Sequence, residues 1–171
     1  TTEIYTLSLH DALPIWLALS RLGEPGDLRL AHWVTELGAV QFHDALRAGA
    51  ELDGLNTELA ARLPSVEPER DLERASRLGI RWIVPGDAEW PAALDDLEHV
   101  EPLHRMGRAP LGLWVRGPLR LHELPTPVAV VGARSATTYG TDVATELAAG
   151  LARAGSAVIS GSTRAVASLL A

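Results

Sequence analysis

The stretch from Val128 to Gly161 constrains the fold most. Val128 to Val131 is an unbroken apolar run, Gly132 to Thr138 is a turn of small and hydroxyl-bearing residues, and helical periodicity extends from about Tyr139 to Arg153. Gly155 then breaks the helix, and Ala157 to Ser160 is a second short strand. Strand, helix, strand is the repeating unit of a parallel sheet, because parallel neighbours need a long crossover and the crossover helix covers one sheet face. The fold class is therefore α/β, with a right-handed crossover expected. One such unit is too little for a doubly wound sheet, so the domain it begins is expected to be cut off within this sequence.

Upstream the pattern is different. Apolar positions recur at helical spacing through Trp16, Leu17 and Leu19, then Leu28, Leu30, Trp33, Val34 and Leu37, then Phe42, Ala45 and Leu46. Breaks at Gly23 to Asp27, Gly38 and Gly49 cut the run into short helices, with Asp27 placed to cap the second and Gly38 to end it. Asn56 to Leu63 and Pro68 to Leu78 continue the helical module. From Gly79 the reading changes to strand, with Ile80 to Val84 stopped by Pro85 and Gly86, and Leu113 to Arg116 ending at Gly117. Between them, Trp90 to Leu97 reads as a short helix with Pro91 in its first turn. Two domains are expected, 16–78 and 79–171. The glycine turn at Gly23 to Gly26 admits either a packing role or a DNA backbone contact.

Composition narrows the function. The chain has no cysteine, which removes disulfides, thiolate metal sites and cysteine nucleophiles and makes a reducing cytoplasm the expected compartment. All 15 basic residues are Arg, a skew that points to GC-rich bacterial coding. A net charge of -7 argues against coating nucleic acid or membrane by bulk attraction, although a local phosphate site is compatible with it. No apolar run reaches the roughly 20 residues of a membrane span.

Thr1 to Ile15 is set apart. Read back into codons, all of its residues agree with one frame of a common sequencing adapter, so residues 1–15 are expected to be foreign to the protein and to add nothing to the fold. The alternative is a genuine strand and turn through Ile4, Thr6 and Ser8. Setting the segment aside removes Glu3 and Asp11 and moves the net charge from -7 to -5, which leaves the charge argument intact.

The chemistry concentrates in the turn before the long helix. Gly132 lets the chain turn sharply and lets backbone N–H groups approach a phosphate, and the helix that follows adds the positive end of its dipole. Arg134 supplies a planar fork for phosphate oxygens, and Ser135, Thr137 and Thr138 supply hydroxyls. The spacing matches neither the dinucleotide fingerprint nor the P-loop. Ordinary strand-to-helix geometry and phosphate recognition both remain open for this turn. No catalytic set is visible: Ser135 and Ser160 lack a nucleophile-elbow context, and His32, His43, His99, His104 and His122 lack metal-ligand spacing.

Four ordered elements resemble the bacterial DNA-processing family DprA/Smf. They are Trp90-Pro91-Ala92-Ala93-Leu94, Leu113-Trp114-Val115-Arg116-Gly117, the run VAVVGARSATTYG from Val128 to Gly140, and Val158-Ile159-Ser160-Gly161. The resemblance implies a small helical, SAM-like module followed by a Rossmann-like parallel-sheet domain. It further implies a non-enzymatic cytoplasmic protein that binds single-stranded DNA, loads the recombinase RecA in natural transformation and acts as a homodimer, with no cofactor. Carried onto this chain, the DNA phosphate site comprises Gly132, Ala133, Arg134, Ser135, Thr137, Gly140, Ser160 and Gly161. Ala133 stands where the family has Ser, which removes one hydroxyl contact.

The resemblance breaks after Gly161, where the family continues with a glycine-rich turn and Gly-Ile-Asp. A one-base slip converting Ile-Asp codons to Ser162-Thr163 would account for the break, and sequencing the locus tests that. The rival enzymatic reading is a Rossmann-like nucleotide-processing protein such as a nucleoside-monophosphate phosphoribohydrolase. The helical front module and Trp90-Pro91 argue against it.

Overall fold

The computed structural model describes residues 8–53, 55, 57–132 and 137–160. It is a mixed helix and strand protein whose contacts separate into two compact units, Thr1–Pro118 and Leu119–Ala171. The first holds helices α1 (Leu9–Ser20), α2 (Leu28–Leu37), α3 (Ala39–Arg47), α4 (Thr57–Arg62) and α5 (Pro68–Arg77), and strands β1 (Ile80–Ile83) and β2 (Leu113–Arg116). The second holds strand β3 (Val128–Ala129), helix α6 (Thr138–Arg153) and strand β4 (Val158–Ile159).

The helical stripes converge as their spacing requires. Leu19, Leu22, Leu30, Phe42, Leu46 and Leu63 form one buried cluster, with Trp33 and Val34 packed on its edge. Each large side chain so buried is worth roughly 1.5–3 kcal/mol before the cost of ordering it. Asp27 caps α2 as expected, its carboxylate accepting from the Arg29 backbone N–H at 2.8 Å. Gly38, with φ 78°, ends α2 by donating to the Val34 carbonyl and opens α3. A residue with a Cβ is disfavoured in that conformation.

Helix α1 starts at Leu9, with the Ser8 hydroxyl accepting from the Asp11 N–H, so Leu9–Ile15 forms its first turns. Ala12 is buried, and Leu13 and Ile15 pack against the two buried clusters. Of the strand-and-turn alternative, the polar break at His10 and Asp11 is helix, and the strand positions Ile4 and Thr6 fall on residues that are not described. Thr1–Leu7 lies outside the described residues.

Strands β1 and β2 pair antiparallel, with Ile80 opposite Arg116 and Trp82 opposite Trp114. Trp82 and Val84 pack with Leu17 of α1, and Leu72 of α5 lies against them. That shared core keeps both strands with the helices, which is why the compact units divide after Pro118, whereas the sequence reading placed a boundary after Leu78. Arg81 and Glu89 strengthen the same region: the guanidinium forks onto the nearly buried carboxylate at 2.6 and 3.1 Å and also donates to the Gly117 carbonyl. The Glu89 ion pair holds the Arg81 guanidinium above its ordinary pKa. The expected helix near Trp90 is instead a 3₁₀ segment, Ala92–His99.

In the second unit β3 and β4 are parallel, Val128 facing Val158 and Ala129 facing Ile159. The Val128 and Val130 N–H groups donate to the Ala157 and Ile159 carbonyls, both at 2.8 Å. Both strands are shorter than the expected Val128–Val131 and Ala157–Ser160, because with one neighbour each the ladder ends where the pairing ends. Helix α6 buries Ala148 but exposes Tyr139, Val143 and Leu147.

Candidate functional site

The parallel pairing decides where the turn residues sit. Because β3 and β4 run the same way, the chain leaves both strands at the same sheet end, and the residues that begin α6 follow from that end of β3. Gly132 is two residues beyond Val130, whose N–H bonds the Ile159 carbonyl, and Ser160 directly follows Ile159. Gly132, the first turn of α6 and Ser160 are thus gathered at the carboxyl end of the strands, the position where parallel sheets bind ligands.

Thr137 caps α6 in an extended conformation, its Oγ1 accepting from the Gly140 N–H at 3.1 Å. This satisfies one of the N–H groups that every helix start leaves without an intrahelical partner. Thr141 in turn donates its hydroxyl to the Thr137 carbonyl at 3.2 Å. Gly140 therefore has a backbone role in the cap, and a phosphate approaching α6 meets the positive end of a helix of 16 residues. Gly132 is exposed, and a Cβ there would touch no described residue within 4 Å.

Of the residues expected to form the site, Gly132, Thr137, Gly140 and Ser160 are placed at this end of the sheet. Ala133, Arg134, Ser135 and Gly161 lie outside the described residues. Among the described residues no group of three or more His, Cys, Asp or Glu side chains is arranged to hold a metal ion. No helix among them is long and apolar enough to cross a membrane.

The sequence reading did not single out a second feature, in the first unit. A cleft of about 590 Å³ is lined by the Ser20–Asp27 turn, Arg29, Leu30, Arg62, Trp82, Met106, Ala109–Gly112 and Trp114. The turn at Gly26 packs: its carbonyl accepts from the Gly107 and Arg108 N–H groups, and a Cβ on Gly26 would lie 2.8 Å from the Arg108 carbonyl oxygen. Asp27 is buried and its carboxylate takes both Arg29 Nε and a terminal guanidinium nitrogen, at 3.1 and 2.6 Å. That hydrogen-bonded pairing holds the Asp27 carboxyl below its ordinary range, against the opposing effect of burial. The sequence signals for this arrangement were the glycine turn at Gly23 to Gly26, whose packing role the structure shows, and the cap position of Asp27.

Comparison with known proteins follows the same lines. The family model described as DNA recombination-mediator protein A matches residues 81–169. Proteins from two strains of Mycobacterium tuberculosis, named as DNA processing protein DprA, are each 42% identical to this chain over 149 residues. The match covers 85% of this chain and 38% of theirs, so the chain spans about two-fifths of the length of these relatives. No solved structure matches significantly. With a family model spanning more than half of the sequence, from β1 past β4, the chain belongs to the DNA recombination-mediator protein A family.

Proposed function

We propose that this chain is part of a recombination mediator that binds single-stranded DNA by its phosphates and loads RecA, without catalysing a reaction. Family membership supports a role in DNA processing for recombination. The observation that carries the finer reading is the parallel β3–α6–β4 unit, which brings Gly132, the Thr137-capped helix start and Ser160 to one sheet end. The unit is read as the beginning of a Rossmann-like domain, and the helices before it as a SAM-like module. Backbone N–H groups, the Thr137 and Ser160 hydroxyls and the Arg134 guanidinium are a donor set suited to phosphodiester oxygens. Ala133, Ser135 and Gly161 complete the proposed contact surface. A cytoplasmic homodimer acting on single strands and RecA, with no cofactor, is the corresponding whole-protein proposal.

The test is binding of a labelled thymidine oligonucleotide, followed by fluorescence anisotropy over a range of salt, with Arg134→Ala and Arg134→Lys. Phosphate contacts carry no sequence information, so Arg134→Ala should weaken all base sequences alike. It should also reduce the salt slope by roughly 0.7, one phosphate's share on a single strand. Arg134→Lys should recover part of the affinity, since it keeps charge and loses the fork. An unchanged salt slope in the alanine variant removes Arg134 from the site.

A further inference from the structure

We propose that the cleft of the first unit is a second nucleotide-binding surface, in which a base stacks on Trp114 and the attached phosphate meets Arg62. Three observations describe the aromatic platform there. Trp114 leaves 41% of its surface exposed, so part of the indole is open to an occupant of the cleft. Its ring centroid lies 4.7 Å from that of Trp82 at a 49° tilt, so the exposed indole is braced by a buried one. Trp82 is fixed in turn by Gly112, where no side chain fits against the indole ring. A rigid exposed aromatic face is the usual platform for a splayed base, and stacking tolerates any base because each has a π-face.

The polar groups match the rest of a nucleotide. Arg21 is paired with Asp71 and Arg29 with Asp27, at 2.9 and 2.6 Å, whereas Arg62 makes no ion pair with another described residue. The guanidinium left for an anion in this cleft is therefore that of Arg62. The Trp82 indole N–H is buried without an acceptor among the described residues. A volume of about 590 Å³ lies within the range of small-molecule sites. A purely apolar occupant would leave the Arg62 charge unmet, and a bare phosphate would leave Trp114 exposed.

The inference rests on the single-strand reading only for the source of the nucleotide, which is either free or part of a strand. Thymidine monophosphate and a thymidine dodecamer are the two probes, read by quenching of tryptophan fluorescence and by anisotropy in the full chain. Trp114→Ala should weaken the dodecamer about tenfold. Trp114→Phe should restore most of that loss, and Arg62→Gln should lower the salt slope by roughly 0.7. Thermal unfolding of each variant establishes that it is folded, and Trp114→Phe provides a variant that keeps the core if the alanine does not fold.

Quenching by the monophosphate that disappears in Arg62→Gln marks a site for free nucleotide, whether or not the dodecamer binds. Dodecamer binding unaffected by all three substitutions, together with monophosphate quenching that is absent or persists in Arg62→Gln, overturns the inference and leaves the Gly132 site standing. Loss of dodecamer binding by Arg134→Ala alone has the same meaning. Absence of binding by both probes overturns this inference and the single-strand reading together.

Discussion

Asp27 performs three tasks with one carboxylate: it caps α2, pairs with Arg29 and anchors a turn whose backbone bridges to Met106. Its ionised form is stabilised in the folded protein, mainly by the Arg29 hydrogen bond, so its folded pKa lies below the ordinary carboxylate value. The resulting stability is fully present above about 3.9, the unfolded value, and is lost as pH falls through the lower folded value. Urea unfolding should therefore show wild type losing more stability than Asp27→Asn between about pH 5 and pH 2. Parallel loss in both would deny the pair this role. At pH 7, Asp27→Ala should cost about 3 kcal/mol, since it removes a cap and strands Arg29 beside a buried turn. Gly112 is the steric counterpart. A Cβ there would lie 2.7 Å from two atoms of the Trp82 indole, so Gly112→Ala should destabilise by about 1–3 kcal/mol and change the near-ultraviolet tryptophan signal. An unaltered melting temperature would mean that the indole has room to move.

Helix α1 raises a question that the code and the packing answer in different terms. The agreement of Thr1 to Ile15 with adapter codons concerns the origin of the segment, while the packing concerns what those residues do when present. Ala12 is buried and Leu13 and Ile15 are partly buried, so starting the chain at Trp16 removes apolar contact worth about 1–3 kcal/mol. The expected fall in melting temperature is roughly 2–10 °C for a chain of this size. No fall would mean that α1 needs only its part from Trp16 onward. Elsewhere the elements were readable where periodicity and punctuation agreed. Asp27 and Gly38 bounded α2, Pro68 opened α5, and Gly155 followed α6, as the residue types require. What was not readable was the pairing of β1 with β2. Nothing local in Ile80–Ile83 or Leu113–Arg116 says that these strands meet antiparallel and stay with the helices, because their partners are set by Leu17 and Leu72 far away in sequence. The ends of α6 were legible, while residues 133–136 of the site turn lie outside the described residues, and the Trp82–Trp114 contact depends on that same unreadable pairing.

Taken as a whole, the molecule is asymmetric in how well its two units cover their apolar surface. The first encloses Leu17, Leu19, Leu22, Phe42 and Val84 almost completely. In the second, Val131 is 85% exposed and Ile159 is 40% exposed, and Tyr139, Val143 and Leu147 line an uncovered stripe of α6 at four-residue spacing. A parallel sheet is normally covered on both faces, and two strands with one helix cover only one. Local stability follows buried apolar contact, so the two units should open at different free energies. Native-state hydrogen exchange read by mass spectrometry should find the peptide containing Val128 and Val130 exchanging well before the peptide containing Trp82 to Val84. A dye that binds exposed apolar surface should report the second unit at denaturant concentrations where the first is intact. Because the relatives are much longer than this chain, joining the residues that follow β4 in such a relative should slow exchange at Val128 and Val130 and leave Trp82 to Val84 unchanged. Equal protection of the two peptides in the chain as it stands would show that β3, α6 and β4 already form a cooperative unit and that their apolar faces need no further cover.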